Sequence, residues 1–335
     1  MASTPSRQDP RQKNLFSAPA EIKPRPASRI AHPDLTKFLN VTQQQYDACL
    51  THVDHNYSVN GSNVNLRFHY VRLDSNGRPK FKDLAEVLAR HIGYYALTAQ
   101  RHSLALSHTD HVKLFLEAKK LLRRNLRSGE PGEILLYFLI EAVLKAPQAI
   151  CKMSLKTNRK EEIKGSDGLH VKWDSSAEIP IIYFGEAKLY KNLSAAISAV
   201  FKSLQDFHAE GAEAHELFLA TNHFNLLDER LKHDICAFLD RTLSVKSYEL
   251  RHACLVGFDW KQYADLESPA TRAAFVKDFE KFYLNHGKRI RSLINKHSQN
   301  FKHKHLMIEF FFLPFKSVQE FRKWFLEEVF GEVSE

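Results

Sequence analysis

The feature that most limits how this chain folds is a segment that is apolar on almost every side, GEILLYFLIEAVL at positions 132–144. A helix that is hydrophobic all round is buried. Its longest apolar run, ILLYFLI at 134–140, is far shorter than the roughly 20 residues that a membrane span requires. Pro147 stops the helix, because proline removes a backbone donor and clashes with the preceding turn. We therefore expect a buried helix packed against a β-sheet.

Strand-like segments follow this helix, with turns between them. They are ICKMSLKT (150–157), GLHVKWD (168–174) and IIYFGEAK (181–188). In the first of them Lys152 and Lys156 share one face, because successive side chains of a strand point to opposite sides. Consecutive strands with short connections predict an antiparallel meander.

The rest of the chain alternates between strand-like and helix-like patterns. Further strands are predicted at 64–74, 249–260 and 306–315, and further helices at 81–97, 111–126, 192–209, 226–243, 271–297 and 318–330. The segment 216–224 fits either a helix or a strand. Strands that return after intervening helices predict an α/β fold, with a mixed central sheet and flanking helices, preceded by an N-terminal, mostly helical unit.

Composition divides the chain into a tail, an N-terminal unit and a core. Residues 1–38 are rich in proline, serine and basic residues, which is typical of a flexible tail. Residues 39–126 are interpreted as an α+β unit and as a possible partner-binding region, because they precede the core and carry no chemistry of their own. Residues 127–335 are interpreted as the core with its C-terminal helices.

The chain is basic, with a formal net charge of +9 and a pI near 9.2. Such a balance favours a polyanionic partner, nucleic acid first and anionic lipid second. The four cysteines are far apart and show no C-x-x-C spacing, which argues against a zinc site or a disulfide framework. The N-terminus lacks an apolar signal segment, and no glycine-rich phosphate loop is present. We expect a cytoplasmic protein that is not embedded in a membrane.

Carboxylates and a lysine give the central stretch its candidate chemistry: Glu133, Asp167, Glu186 and Lys188. Glu186 and Lys188 share one face of the third strand, because the side-chain period of a strand is two. An antiparallel connection places Asp167, at the start of the second strand, beside the end of the third. Glu133, in the first turn of the buried helix, leans over the same sheet edge.

Carboxylates that converge in this way repel one another unless a cation lies between them. Mg²⁺ and Mn²⁺ prefer such oxygen ligands, and a metal held there activates water and a phosphodiester while a lysine orients or deprotonates the water. We therefore predict a metal site at Glu133, Asp167 and Glu186. The alternative is a solvated strand end and an ordinary turn, because a Glu-x-Lys triplet is common in charged proteins.

The order Asp167, then Glu186-Ala-Lys188, resembles the PD-(D/E)xK nuclease superfamily. That family has a core of a helix, a three-stranded meander, a helix and a further strand. The resemblance implies that Asp167 and Glu186 ligate the metal, that Lys188 is catalytic, and that Glu133 is the additional helix glutamate. Ser166 stands where the motif has proline, and a Q-x-x-x-Y element does not follow Lys188.

A closer resemblance covers roughly residues 64–260. The stretches GEILLYFLIEAVLKAPQAICKMSLKTN, GSDGLHV and YFGEAKLYKNLSAAISAVFKSL are similar to HamA, the nuclease subunit of Hachiman anti-phage defence systems. This resemblance implies a Mg²⁺-dependent (or Mn²⁺-dependent) nuclease that degrades DNA without strong sequence preference. It also implies a heterodimer with a HamB-like superfamily 2 helicase, which restrains the nuclease until phage infection.

Other interpretations of function and of single residues stay open. A non-catalytic nucleic-acid-binding or helicase-partner adaptor, and a nuclease directed at RNA, are the competing functions. Lys152 and Lys156 either line a DNA groove or form a solvated face, and Tyr190 and Lys191 either contact phosphate or are ordinary surface residues. His170 lies on the strand face opposite Asp167 and is interpreted as a packing or surface histidine. HSQNFKHKH (297–305) is interpreted as a basic surface loop rather than a metal site.

Overall fold

A seven-stranded mixed sheet organises the chain in the computed structural model, which describes residues 33–155, 165–225, 228–239, 247–265 and 272–331. The strand order is β1-β2-β7-β6-β5-β4-β3. The meander β3–β4–β5 is antiparallel, β5, β6, β7 and β2 pair in parallel, and β1 is antiparallel to β2. The strands are β1 Leu50–Val53, β2 Val64–Val71, β3 Gln148–Ile150, β4 Gly168–Asp174, β5 Ile179–Tyr190, β6 Glu249–Asp259 and β7 Met307–Phe315.

Helices flank this sheet, which confirms the predicted α/β class. Those before the meander are α1 Gln43–Cys49, α2 Phe81–Arg90, α3 Ile92–Ala96, α4 Ala99–Ser103, α5 His108–Leu121 and α6 Glu130–Leu139. Those after it are α7 Leu193–Ala209, α8 Ala212–Asn222, α9 Glu229–Leu239, α10 Gln262–Asp265, α11 Arg272–Gln299 and α12 Val318–Phe330.

The centre of the sheet consists of β5, β6 and β7, whose residues are buried almost throughout. Parallel strands covered on both faces read as continuous apolar runs rather than alternating ones, and FFFLPF of β7 fits this pattern. Gly257 of β6 permits close packing, because a Cβ there would lie 2.2 Å from Leu189 Cδ2 and 2.8 Å from Phe315 Cε2.

Helix α6 is the buried helix that the apolar segment predicts. It continues into one π-helical turn, Ile140–Leu144, and ends at Lys145, whose φ of 56° is left-handed. Glu141 within that turn is fully buried, and its carboxylate accepts backbone N–H donors from Asn40 (2.6 Å), Val41 (3.0 Å) and Gln148 (3.3 Å). The turn therefore joins residues 40 and 41 to the start of β3.

The first strand of the meander differs from the prediction. The strand β3 is shorter and starts earlier than 150–157, and a 3₁₀ turn, Lys152–Leu155, follows it. The hydroxyl of Ser154 donates to the carbonyl of Cys151 (2.6 Å), and Lys152 turns into the protein interior. The predicted strand with a basic face is therefore wrong, because local and buried contacts outweigh the alternating pattern. Lys156 lies outside the described residues.

The structure also gives the secondary structure of two further segments. The ambiguous 216–224 segment belongs to α8, and the predicted helix 81–97 is divided into α2 and α3 at His91. The N-terminal region contributes β1 and β2 to the sheet, because β2 pairs in parallel with the C-terminal strand β7. Residues 39–126 therefore share one sheet with the residues that carry the candidate chemistry.

Candidate active site

Asp167 lies at the entrance to β4 and is attached to the adjacent strand β5. Its backbone N–H donates to the carbonyl of Gly185 (2.8 Å), and its Oδ2 accepts from the backbone N–H of Ala187 (2.7 Å). The strands approach closely here, because a Cβ on Gly185 would lie 3.3 Å from the backbone nitrogen of Gly168. The antiparallel meander therefore places Asp167 beside Glu186, as its sequence position predicts.

Glu186 and Lys188 extend from the same face of β5. Glu186 is 9 % exposed, and its carboxylate forms an ion pair with the ammonium of Lys188. The parallel register sets Glu186 opposite Cys254 of β6, and Cys254 is fully buried. One wall of the site is therefore the apolar centre of the sheet, which limits the water around these charges.

Glu133 reaches the site from the first turn of α6. Its Oε2 accepts a hydrogen bond of 2.7 Å from the hydroxyl of Tyr95, a buried residue of α3. Tyr95 gives no sequence signal as a site residue, because it belongs to the apolar stripe of a helix and lies 38 residues from Glu133 along the chain. The N-terminal region therefore supplies a group that orients a carboxylate of the site.

The electrostatics show that these groups share one environment. Burial raises the pKa of Asp167 well above its usual range, and the carboxylates of Glu186 and Glu133 raise it further. The N–H of Ala187 and the ammonium of Lys188 oppose this shift. Burial would lower the pKa of Lys188, but the carboxylate of Glu186 outweighs it, so the pKa is raised and the lysine is an ammonium at neutral pH.

The donor set fits a hard divalent cation by chemical type, because it offers carboxylate oxygens whose mutual repulsion a cation would relieve. The side chains nevertheless have other contacts in this state, since Lys188 pairs with Glu186 and Tyr95 donates to Glu133. Over the described ranges, histidine, cysteine, aspartate and glutamate side chains form no group of three or more that is arranged to hold a metal ion. The fit is one of donor chemistry and charge, not of a closed coordination shell.

A cleft with a volume of about 790 Å³ opens beside these groups. Its lining combines the loop before β4, the face of β5 that carries Glu186, and residues of α7, α8 and β6. The polar side chains that line it are Ser166, Asp167, Glu186, Lys188, Ser203, Asp206, Glu210, His215 and His252. Asp167, Glu186 and Lys188 are therefore accessible from one shared cleft, whose lining does not include Glu133.

The basic candidates lie in different places. Both interpretations of Lys152 put it at the surface, but it is 6 % exposed and forms an ion pair with the fully buried Glu216. That ion pair corrects both interpretations, because a buried ammonium with a carboxylate partner is not a free surface charge. Tyr190 and Lys191 are exposed at the end of β5, just past Lys188, and both interpretations of them stay open.

Histidines that the sequence singles out differ in their surroundings. His170 is buried, its Nδ1 lies 2.9 Å from the carbonyl oxygen of Ala146, and burial lowers its pKa to about 4. The packing interpretation of His170 is therefore confirmed. In the segment 297–305, His303 stacks on His208, with 4.2 Å between the ring centroids, while Lys302, Lys304 and His305 are exposed.

Fold and site together define an α/β protein with a carboxylate–lysine cluster at an edge of the meander. The HamA family matches residues 47–329, which is most of the chain. The chain therefore belongs to the HamA family, and this membership supports a place in Hachiman antiviral defence. No individual curated protein matches the chain. Within the described ranges, none of the helices has both the length and the hydrophobicity of a transmembrane span.

Proposed function

We propose that this chain is the nuclease effector of a Hachiman defence system, a Mg²⁺-dependent deoxyribonuclease that hydrolyses DNA without strong sequence preference. The observation that carries the proposal is the shared environment of Asp167, Glu186 and Glu133, in which burial raises the pKa of Asp167 and repulsion from the other two carboxylates raises it further. The ammonium of Lys188 forms an ion pair with one of these carboxylates, that of Glu186. The net charge of +9 suits a polyanionic substrate.

Each group of the site has a role in this proposal. Asp167, Glu186 and Glu133 would hold Mg²⁺ or Mn²⁺, which when bound would supply activation of water and polarisation of the phosphodiester. Asp167 keeps its orientation through the N–H of Ala187, and Glu133 keeps its own through Tyr95. Lys188 stabilises the negative charge that develops on the phosphate and orients the attacking water.

The proposal is tested by DNA digestion with and without Mg²⁺, using the full chain and the variants Glu186→Gln and Lys188→Met. We expect each variant to lower the rate by about 100-fold or more, because each removes a group that acts on the reacting atoms. Lys172→Met is the matched control, since Lys172 is a half-buried lysine of the neighbouring strand β4. Cleavage at the wild-type rate by both site variants shows that the assignment of the site is wrong.

The alternative is a non-catalytic adaptor that binds nucleic acid or the helicase partner. The ion pair of Lys188 with Glu186 favours it, because that contact occupies a carboxylate that the metal needs. Calorimetric titration with Mn²⁺ separates the two functions, since the adaptor predicts no binding that depends on Asp167 and Glu186. Digestion of matched DNA and RNA strands side by side decides which sugar the site accepts.

We further propose that the N-terminal region binds a HamB-like superfamily 2 helicase. Large apolar side chains of α5 and of the loop before it are exposed: Leu104, Leu106, Val112 and Leu116. They lie close together along the chain, and Val112 and Leu116 are one helical turn apart, so a partner could bury them together. Deleting residues 39–126 would remove β1 and β2 from the sheet, so surface variants are the better test. Capture of the helicase by the full chain should fall in a Leu106→Ser, Val112→Ser double variant, and unchanged capture contradicts this surface.

A further inference from the structure

A buried ion pair lies directly behind the loop that carries Asp167. Lys152 comes from the 3₁₀ turn after β3, and Glu216 comes from α8. Lys152 is 6 % exposed and Glu216 is fully buried. Neither side chain lines the cleft, so the pair has no direct access to a substrate there.

Both partners of this pair bind the backbone of Ser166, the residue before Asp167. The ammonium of Lys152 donates to the carbonyl of Ser166 (2.6 Å) and to its hydroxyl (3.2 Å). The carboxylate of Glu216 accepts from the backbone N–H of Ser166 (3.1 Å) through the same Oε1 that contacts Lys152. The ion pair thus holds the peptide groups on both sides of Ser166.

The carboxylate of Glu216 also restricts which residue can precede Ser166. Gly165 has a φ of +107°, and a Cβ at this position would lie 2.0 Å from Glu216 Oε1 and 3.4 Å from Lys152 Nζ. Only glycine lets the chain pass this close to the buried charge. The second oxygen of Glu216, Oε2, is buried and accepts no hydrogen bond from the residues that the structure describes, whereas Oε1 is oriented toward the loop.

A buried ion pair is weak support for stability, because desolvation of the two charges offsets their attraction. The contacts of this pair with the loop are made to Ser166. The next residue is Asp167, whose carboxylate is repelled by those of Glu186 and Glu133. Without a restraint on the loop, that repulsion would move Asp167 away from the other acids. The pair therefore stands where a restraint on Asp167 is needed.

We propose that Lys152 and Glu216 are positioning residues, which fix Ser166 so that Asp167 is held beside Glu186 and Glu133. Asp167 is then held from both sides, by the ion pair through Ser166 and by β5 through the carbonyl of Gly185 and the N–H of Ala187. This inference rests on the proposed function for its consequence, which is the affinity for the metal. The placement of Asp167 is a property of the fold and is measured separately.

The test uses the full chain with the double substitution Lys152→Met, Glu216→Leu, which removes both charges and keeps apolar volume. We expect a folded protein, since replacing a buried pair by apolar residues is often neutral or stabilising. We expect the affinity for Mn²⁺ to fall by roughly 10- to 100-fold, the range found when a group that orients a metal ligand is removed. The Mg²⁺ concentration for half-maximal cleavage should rise in parallel. The single variant Lys152→Arg, which keeps a cation beside Glu216, should largely retain the wild-type values.

The control is an equivalent pair away from the loop. Arg67 and Glu309 form an ion pair of 2.8 Å between β2 and β7, and Glu309 is buried. The variant Arg67→Met, Glu309→Leu should leave the affinity for Mn²⁺ unchanged. Equal losses in both double variants would show a general effect on the sheet and overturn the proposal.

Amide hydrogen exchange separates failure of this inference from failure of the proposed function. The N–H of Ala187 donates to Asp167 Oδ2, so it should exchange at least about tenfold faster when Ser166 is released, while the central amides of β6 keep their protection. Unchanged exchange at Ala187 together with wild-type affinity for Mn²⁺ overturns the inference. A wild-type chain that binds no Mn²⁺ and cuts no DNA refutes the nuclease proposal. In that case the exchange rate at Ala187, compared between the wild type and the double variant, still tests whether Lys152 and Glu216 position Asp167.

Discussion

At the scale of single residues, Asp167 is buried and interacts with the carboxylates of Glu186 and Glu133 and with the ammonium of Lys188. Its pKa is raised in the folded chain, so the native state retains a proton that the unfolded state loses above the ordinary pKa of 3.8. Stability from this group is therefore present at low pH and is lost as pH rises above 3.8 through the raised value. Ionisation of Asp167 thus lowers the stability of the folded chain at neutral pH.

The substitution Asp167→Asn should raise the thermal unfolding midpoint at pH 7 in EDTA, because the amide cannot ionise and still accepts from the N–H of Ala187. A gain on the order of 2 °C is expected for about 1 kcal/mol, and it should vanish near pH 4. Mn²⁺ should stabilise the wild type and not the variant. The control is Asp54→Asn, since the Asp54 side chain is fully exposed. A gain that persists at pH 4 would contradict the linkage.

The hydroxyl of Tyr95 acts on the site through Glu133. The substitution Tyr95→Phe removes the donor while keeping the ring, so the free energy of unfolding should fall by about 1 to 2 kcal/mol, and the affinity for Mn²⁺ should fall with it. Tyr263→Phe is the matched control, because Tyr263 is a buried tyrosine whose hydroxyl donates to the carbonyl of Pro314 (3.3 Å), away from the acids. Chemical unfolding and calorimetry measure the two effects. An equal loss of Mn²⁺ affinity in both variants would mean that Tyr95 has no particular role in the site.

At the scale of elements, Glu141 links the π turn after α6 to Asn40, Val41 and Gln148. Burial raises the pKa of Glu141 to about 7, while the backbone donors Asn40, Gln148 and Val41 lower it. The folded pKa lies above the ordinary value of 4.5. The contribution of Glu141 to the free energy of unfolding therefore falls as pH rises from about 4.5 to about 7, and it is constant above that. The carboxylate nevertheless satisfies backbone donors that would otherwise be buried without partners.

The substitution Glu141→Ala should lower the free energy of unfolding by about 2 to 4 kcal/mol, because it leaves buried N–H groups without an acceptor. In Glu141→Gln the fall in stability between pH 5 and pH 8 should be smaller than in the wild type, since the amide does not titrate. Chemical unfolding at the two pH values measures both effects. Glu86→Gln on α2 serves as control, because Glu86 is about half exposed and pairs with Arg90. An identical pH dependence in Glu141→Gln and the wild type would contradict the assignment.

At the scale of the whole molecule, the net positive charge is a property of the chain as a whole. The cleft itself is lined by acidic residues that include Asp206 and Glu210. Binding of DNA should therefore depend on contacts with phosphate and not on base sequence. In the cleavage-impaired Glu186→Gln variant, the affinity for duplex DNA should fall at least tenfold between 50 and 200 mM salt, as expected for about two phosphate contacts. Filter binding with two unrelated duplexes measures this, and a strong preference for one of them would contradict it.

Much of the sheet follows from local pattern, and the exceptions follow from long-range contacts. The predicted strands at 249–260 and 306–315 and the helix at 318–330 match β6, β7 and α12 closely, because a parallel sheet covered on both faces requires continuous apolar runs. The strand at 150–157 fails as a prediction, because Lys152 is drawn into an ion pair with Glu216, which lies 64 residues later. Alternation of polar and apolar residues carries no information about such a partner.

By itself the sequence determined that Glu186 and Lys188 share a face, and that a meander sets Asp167 beside them, because strand period and short connections are local properties. Only the tertiary structure decided what surrounds these groups. Tyr95 reaches Glu133 across 38 residues, and Glu216 reaches Ser166 across 50. These contacts arise when α3, α6 and α8 pack around the sheet, and packing between distant segments depends on the whole fold rather than on any single stretch of it.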